Sequence, residues 1–244
     1  MPEPRQSEPL SPLRGVASRR RRTERLLDVA DRIADAYGLV LLMVMTTVAL
    51  TSLLPGGTWW PVVTVLSCGL TALVALTTSR AAARRVKFAI VCVAITVGLA
   101  VVAQLLDADW ILGLAFSGSV ILLGYGMTTV LANVVTARVV DSRTLLGAVS
   151  VYTSMGLLFT FVYRATDRFQ AGAFFEGTST IAGGDFIFFS YTTLTTTGYG
   201  NLVPASQPGM FFALAEMLTG QIFLVTLVAG LVTLWRPPGR RKSD

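Results

Sequence analysis

Residues 193–201, Thr-Leu-Thr-Thr-Thr-Gly-Tyr-Gly-Asn, combine a series of threonine hydroxyls with two glycines that flank one aromatic side chain. Glycine adopts backbone conformations that residues with a Cβ atom disfavour, so such a stretch can turn successive carbonyl oxygens to one side. A column of carbonyl oxygens can replace the water shell that a cation loses on dehydration. These residue types therefore favour the coordination of a bare cation by main-chain oxygens.

The composition of the chain around this stretch is that of a membrane protein. The 244 residues are 53% hydrophobic and only 14% charged, with a net charge of +6 and no histidine. A soluble domain of this length carries far more charge. The lack of histidine argues against His-ligated metals and His-based catalysis. Cys68 and Cys92 each lie in an apolar segment, at a spacing typical of neither a zinc site nor a disulfide framework, so we expect them to face lipid or pack between helices.

The N-terminal region is basic and polar. Its arginine run, residues 19–22, is more typical of a cytoplasmic anchor facing anionic lipid than of a nucleic-acid site. Residues 23–37 place apolar side chains at helical spacing on one face and charged side chains on the other. This pattern predicts an amphipathic helix in the inner interface of the membrane. We therefore expect membrane lipid, and no nucleic acid, as a partner.

Six apolar segments follow, each near the ~20 residues that a helix needs to cross a bilayer. They fall at about 38–54, 60–78, 88–106, 110–135, 145–163 and 209–235. Four tryptophans lie at the ends of these segments, as expected for side chains at the membrane interface. The sequence predicts an all-α membrane protein with six transmembrane helices.

The orientation follows from the basic residues, which concentrate in cytoplasmic loops. With six spans, eighteen of the twenty Lys and Arg residues fall on one side of the membrane. Both termini are therefore predicted to be cytoplasmic, in a multi-pass protein of the plasma membrane. The same count places the segment before Gly198-Tyr199-Gly200 on the outside.

Residues 183–195, between the fifth and sixth spans, are too few to cross the membrane. Backbone that leaves regular helix at membrane depth is tolerated only where protein or a water-filled cavity surrounds it. We predict a half-buried helix from Asp185 to about Thr195, with the Asp185 carboxylate at its N-terminus, where the helix dipole favours negative charge. The partly negative C-terminal end of this helix would face the cavity, which suits a cation.

The stretch Thr196-Thr197-Gly198-Tyr199-Gly200 closely resembles the potassium-channel signature, and Thr193 matches the leading threonine of that family. The resemblance covers about residues 145–235. It implies a re-entrant pore helix and a selectivity filter in which Thr196, Thr197, Gly198 and Tyr199 coordinate K⁺. Since one filter per chain supplies a quarter of a four-fold ring, it also implies a homotetramer.

A Gly-Tyr-Gly sequence alone is not specific. Gly124-Tyr125-Gly126 lies inside an apolar segment with no threonines before it, and it supplies no second filter.

Phe188 and Phe189 fall where the potassium-channel family often has paired aromatic residues around the filter.

The resemblance also assigns supporting residues. Thr192 and Asn201 stand where family members often carry a glutamate and an aspartate, so we expect altered ion throughput or filter inactivation rather than altered selectivity. Gly220 stands at the usual hinge glycine, although close helix packing explains a glycine equally well. Glu216 is the only ionisable residue inside a predicted span, which marks it as a functional candidate. We expect a protonated Glu216 to bond the pore helix, at Thr192 or Tyr191.

The predicted organisation has four parts: a cytoplasmic tail with the amphipathic helix at 1–37, a four-helix region at 38–143, a pore module at 144–235 and a short cytoplasmic tail at 236–244. The fourth span has no Lys or Arg, whereas voltage sensing requires several. The sequence thus predicts a passive potassium channel subunit without voltage gating.

Two alternatives stay open. A secondary transporter would have two related halves with broken helices, and a membrane scaffold would have a filter that does not conduct. No nucleophile–base pair, metal cluster or phosphate-binding loop indicates an enzyme, and no cofactor is expected besides the permeant K⁺.

Overall fold

The computed structural model describes residues 37–53, 57–79, 81–136, 142–177 and 182–230. These residues form seven α-helices and no β-strand: α1 (Tyr37–Leu53), α2 (Trp60–Thr78), α3 (Ala83–Leu106), α4 (Asp109–Val135), α5 (Ser142–Phe169), α6 (Gly183–Leu194) and α7 (Gln207–Phe223). A π-helical segment, Leu224–Val228, continues α7. Apart from Tyr37, the predicted basic tail and amphipathic helix lie outside the described residues, as does the predicted C-terminal tail.

Five of these helices are long and apolar enough to cross a membrane: α2, α3, α4, α5 from Thr144 onward, and α7 with its continuation to Thr226. The prediction of an all-α membrane protein is confirmed at this level. The first predicted span is also an apolar helix, α1, but it has only 17 residues. Helix boundaries follow local signals, such as the proline in the first turn of α2 and of α7 and the left-handed conformation of Asp107, with φ 49°, after α3.

Helix α5 lies at the centre of the described fold. It contacts α1, α4, α6 and α7, while α4 also packs against α2 and α3. Small residues allow close approach between helices, as at Gly126, where a Cβ atom would lie 3.2 Å from the Cβ of Ala75. The packing places α6 between α5 and α7, so these three helices position the candidate site.

The structure corrects the prediction that Glu216 is the only ionisable residue inside a span. The predicted fifth span ends at Tyr163, but α5 continues to Phe169 because no glycine or proline interrupts it. Arg164 is thereby buried, with 7% of its surface exposed. Its Nη1 donates a hydrogen bond to Thr64 Oγ1 at 3.2 Å, and its guanidinium carbon lies 4.6 Å from the ring centroid of Phe116. These contacts connect α5 to α2 and α4.

Candidate functional site

The site is built on α6, which covers the residues predicted to form the half-buried helix. Its 12 residues extend over only about 18 Å, too little for a bilayer core of about 30 Å. Asp185 lies in its first turn, and Asp185 Oδ2 accepts a hydrogen bond from the backbone N–H of Ala182 at 2.8 Å. The carboxylate therefore lies at the end of the helix where the sequence predicts it.

An aromatic cluster fixes the N-terminal half of α6. It consists of Tyr163, Phe174, Phe175, Phe186 and Phe189, whose neighbouring ring centroids lie 4.9 to 6.4 Å apart, mostly at steep angles. Such tilted pairs stabilise by about 0.5–1.5 kcal/mol each beyond their buried area. The cluster therefore restricts rotation of α6 against α5.

The C-terminal end of α6 is held by two tyrosines of the site. The Tyr191 hydroxyl donates to the carbonyl of Thr153 on α5 at 2.6 Å. The Tyr152 hydroxyl of α5 donates in return to the carbonyl of Leu194 at 3.2 Å. The side chain of Leu194 is fully buried. The end of α6 is thus fixed from the side of α5.

Helix α7 approaches the same end of α6 at Gly220. A Cβ atom on Gly220 would lie 2.8 Å from Leu194 Cδ1 and 2.9 Å from the Leu194 carbonyl oxygen, closer than real atoms come. This geometry favours close packing as the reason for the glycine. The hinge role of Gly220 stays a prediction, although the π-helical segment begins only four residues later, at Leu224.

The backbone that follows α6 is tied to the last turn of the helix. The amides of Thr197 and Gly198 both donate to the carbonyl of Thr192, at 2.8 and 3.1 Å, and the amide of Thr196 donates to the carbonyl of Thr193 at 3.0 Å. Carbonyls at a helix end have no partner within the helix, and these bonds satisfy them. The backbone amides of residues 196–198 therefore all donate hydrogen bonds to carbonyl oxygens of α6.

The same stretch alternates in backbone conformation. Thr196, Gly198 and Gly200 have φ values of +58°, +50° and +76°, while Thr197 and Tyr199 keep negative φ. Alternation in the sign of φ can turn successive peptide groups the same way, in contrast to a β-strand. Glycine adopts positive φ without strain, but for a threonine it costs roughly 1–2 kcal/mol. Strain at Thr196 marks the stretch as a functional candidate, and the sequence alone does not indicate it.

The threonine hydroxyls of this stretch make hydrogen bonds within it. The Oγ1 atoms of Thr195 and Thr197 lie 2.9 Å apart, and Thr196 Oγ1 donates to the carbonyl of Thr195 at 2.7 Å. Gln221 of α7 reaches Thr196 Oγ1 with its Nε2 at 3.4 Å. Gln221 was not predicted, although its position one residue after Gly220 places it on the turn of α7 that faces α6.

The whole stretch from Thr195 to Asn201 is exposed in the single chain. Tyr199 is 70% exposed, and its ring stacks on Phe188 with a centroid distance of 5.7 Å and an angle of 16°. Of the paired aromatics predicted from the sequence, Phe188 thus contacts the tyrosine of the stretch, while Phe189 lies in the aromatic cluster behind α6.

Thr192 and Thr193 lie on different faces of α6. Thr193 is buried. The Thr192 hydroxyl donates back to the carbonyls of Phe188 and Phe189, at 2.9 and 3.0 Å. Thr192 therefore contacts the candidate filter through its carbonyl oxygen, which accepts the hydrogen bonds of the two amides described above.

Glu216 does bond α6, but the predicted partners are wrong. Glu216 is fully buried; its Oε1 lies 2.6 Å from Ser190 Oγ, and its Oε2 accepts from the Tyr163 hydroxyl at 2.5 Å. The side chains of successive helix residues point about 100° apart, so Ser190 and Tyr191 face different neighbours. Tyr191 faces Thr153 of α5, and Ser190 faces Glu216 of α7. The sequence does not indicate how α6 is rotated about its axis, so it could not predict that Ser190 is the partner of Glu216.

Residues 148–236 match the protein-family model described as "Ion channel". This part of the chain is therefore similar to an ion-channel family. The match begins within α5 and takes in α6, the stretch of alternating conformation and α7, which are the elements that build the site. No curated protein and no solved structure matches the chain. The similarity supports an ion channel, whose family members act in membranes by letting ions permeate.

Proposed function

We propose that this ion channel conducts K⁺ passively, and that Thr196–Gly200 of each subunit forms its selectivity filter. The observation that carries the proposal is the alternating sign of φ along a Thr-Thr-Gly-Tyr-Gly stretch anchored to the end of α6. With the amides of residues 196–198 bonded toward α6, carbonyl oxygens are left to coordinate the ion. Thr196, Thr197, Gly198 and Tyr199 would supply the oxygens that replace water around K⁺.

The filter needs other subunits, and we propose a homotetramer. A single chain leaves the stretch exposed on one side, whereas non-helical backbone at membrane depth must be covered by protein or line a water-filled path. One flank of α7 also presents large exposed apolar side chains: Met210, Phe211, Leu214, Leu218, Ile222 and Val225. Four copies around one axis would close the filter and cover part of this flank.

The proposed topology has six transmembrane helices, α1 to α5 and α7, with α6 re-entrant between α5 and α7. At 17 residues, α1 measures about 26 Å, and a slight local thinning of the bilayer accommodates the difference. Both termini would be cytoplasmic, in the plasma membrane. The pore module, 144–235, would then stand beside a four-helix region, 38–143, without gating charges, since α4 contains no Lys or Arg. We therefore propose a channel that is not voltage-gated.

The test is ion flux into liposomes that contain the purified channel. We expect K⁺ to pass in preference to Na⁺ and Ba²⁺ to block. A scaffold would pass neither ion, and a transporter would require a coupled gradient.

Two alanine variants form a matched pair in this assay, because each changes the first glycine of a Gly-Tyr-Gly sequence. Gly198 has φ +50°, where alanine is strained, so Gly198→Ala should abolish selective flux. Gly124 lies in α4, and a Cβ there meets nothing closer than 3.6 Å, so Gly124→Ala should leave flux unchanged. Equal flux in the two variants would refute the assignment of the filter.

A further inference from the structure

Four groups behind α6 contact one another in a row. The Tyr163 hydroxyl of α5 contacts Glu216 Oε2 at 2.5 Å, Glu216 Oε1 contacts Ser190 Oγ at 2.6 Å, and Ser190 Oγ contacts the carbonyl oxygen of Gly156 at 2.7 Å. Glu216, Tyr163 and Ser190 are each fully buried. The row therefore begins and ends on α5 and passes through α7 and α6.

Each of the three contacts needs one hydrogen, and the neutral hydroxyls supply two. Tyrosine and serine carry one O–H each, whereas a backbone carbonyl and an ionised carboxylate only accept. The Tyr163 hydrogen serves the contact with Oε2, and the Ser190 hydrogen serves the contact with Gly156. The third hydrogen, between Ser190 Oγ and Oε1, must then be on Glu216.

In the part of the chain that the structure describes, the surroundings of Glu216 offer no charge that would stabilise an ionised carboxylate. The titratable groups that face it are tyrosines: Tyr163 and Tyr152 on α5 and Tyr191 on α6. Among the described residues, no Lys or Arg interacts with it. A buried charge without a partner costs several kcal/mol, so the electrostatics agree with the hydrogen count.

We propose that Glu216 is a positioning residue that acts as a neutral carboxylic acid. It donates to Ser190 and accepts from Tyr163, and so fixes α6 between α5 and α7. Ser190 lies two residues before Thr192, whose carbonyl holds the amides of Thr197 and Gly198. Loss of the Glu216 proton leaves Ser190 with two acceptors for one hydrogen, loosens α6 and disturbs the candidate filter. This inference rests on the proposed function of that filter.

Two variants of Glu216 separate its proton from its bulk in the liposome assay. Glutamine keeps one donor and one acceptor in the same shape, so Glu216→Gln should retain K⁺ flux within about twofold of the wild type. Glu216→Ala leaves the Tyr163 hydroxyl without an acceptor and takes from Ser190 the donor that Glu216 supplies, and it should lower flux by about tenfold or more. Alkaline solution should lower the flux of the wild type reversibly, but not that of Glu216→Gln.

Infrared difference spectroscopy reads the proton directly. The wild type at neutral pH should show the carbonyl-stretch band of a protonated carboxylic acid, which Glu216→Gln lacks and which alkaline solution removes over the range in which flux falls. The proposal is overturned if the wild type lacks this band, or if Glu216→Gln is as impaired as Glu216→Ala. If the wild type passes no K⁺ at all, the proposed function fails, and the infrared band still decides the state of Glu216.

Discussion

Replacing Gly220 by alanine adds one methyl group where α7 crosses the end of α6. That methyl carbon would lie 2.8 Å from Leu194 Cδ1 and 2.9 Å from the Leu194 carbonyl oxygen. Neither atom can move freely, because Leu194 is fully buried and its carbonyl accepts from the Tyr152 hydroxyl. We therefore expect the two helices to separate, at an overpacking cost of about 1–3 kcal/mol.

The matched control is Gly98→Ala in α3, where nothing lies within 4 Å of the added Cβ. Both substitutions gain up to about 1 kcal/mol of helix propensity, so the difference between the variants isolates the contact with Leu194. Thermal unfolding of the purified proteins should place Gly220→Ala several degrees below Gly98→Ala, at about 2–4 °C per kcal/mol.

Flux measurements on the same samples separate packing from hinge motion. We expect Gly220→Ala to lose K⁺ flux together with stability, since the end of α6 carries the candidate filter. If Gly220→Ala had the same melting temperature as Gly98→Ala and differed from it only in flux, the packing argument would be refuted and a hinge would be favoured.

Three further predictions concern strain, buried charge and stacking. Thr196→Gly should melt no lower than the wild type, because it removes a strain of roughly 1–2 kcal/mol at φ +58°. Thr197→Gly should melt lower than the wild type, because negative φ suits a threonine. The reverse order of these two melting temperatures would contradict the backbone assignment. Arg164→Met should unfold at a higher temperature than Arg164→Ala, because both substitutions remove the buried charge but only methionine keeps most of the packing; equal melting would contradict this. Phe188→Ala should weaken the site by about 0.5–1.5 kcal/mol through loss of the stack on Tyr199 and reduce K⁺ flux, and unchanged flux would exclude a role for the stack.

The sequence predicts the elements of the site because their signals are local. The apolar runs give the helices, and the residues between the fifth and sixth runs are too few to cross, which indicates the short helix α6. The carboxylate of Asp185 in the first turn and the two glycines around Tyr199 are likewise local signals. The structure places Asp185 in the first turn of α6, as the sequence predicts, while the role of the two glycines stays a prediction.

Features that depend on packing between helices could not be predicted in the same way. The rotation of α6, which selects Ser190 for Glu216, follows from contacts with α5 and α7 across more than twenty residues of sequence. The continuation of α5 through Arg164 escapes a search for apolar runs, because a charged residue ends the run but not the helix. The positive φ of Thr196 is imposed by the hydrogen bonds at the end of α6, since threonine itself disfavours it.

We propose that main-chain oxygens of Thr196–Gly200 select K⁺. The reversal potential across a planar bilayer with K⁺ on one side and an equal concentration of Na⁺ on the other tests it most directly. We predict a reversal potential far from zero, with the sign that a membrane permeable to K⁺ requires. A reversal potential at zero, with current carried equally by the two ions, would contradict a K⁺-selective filter.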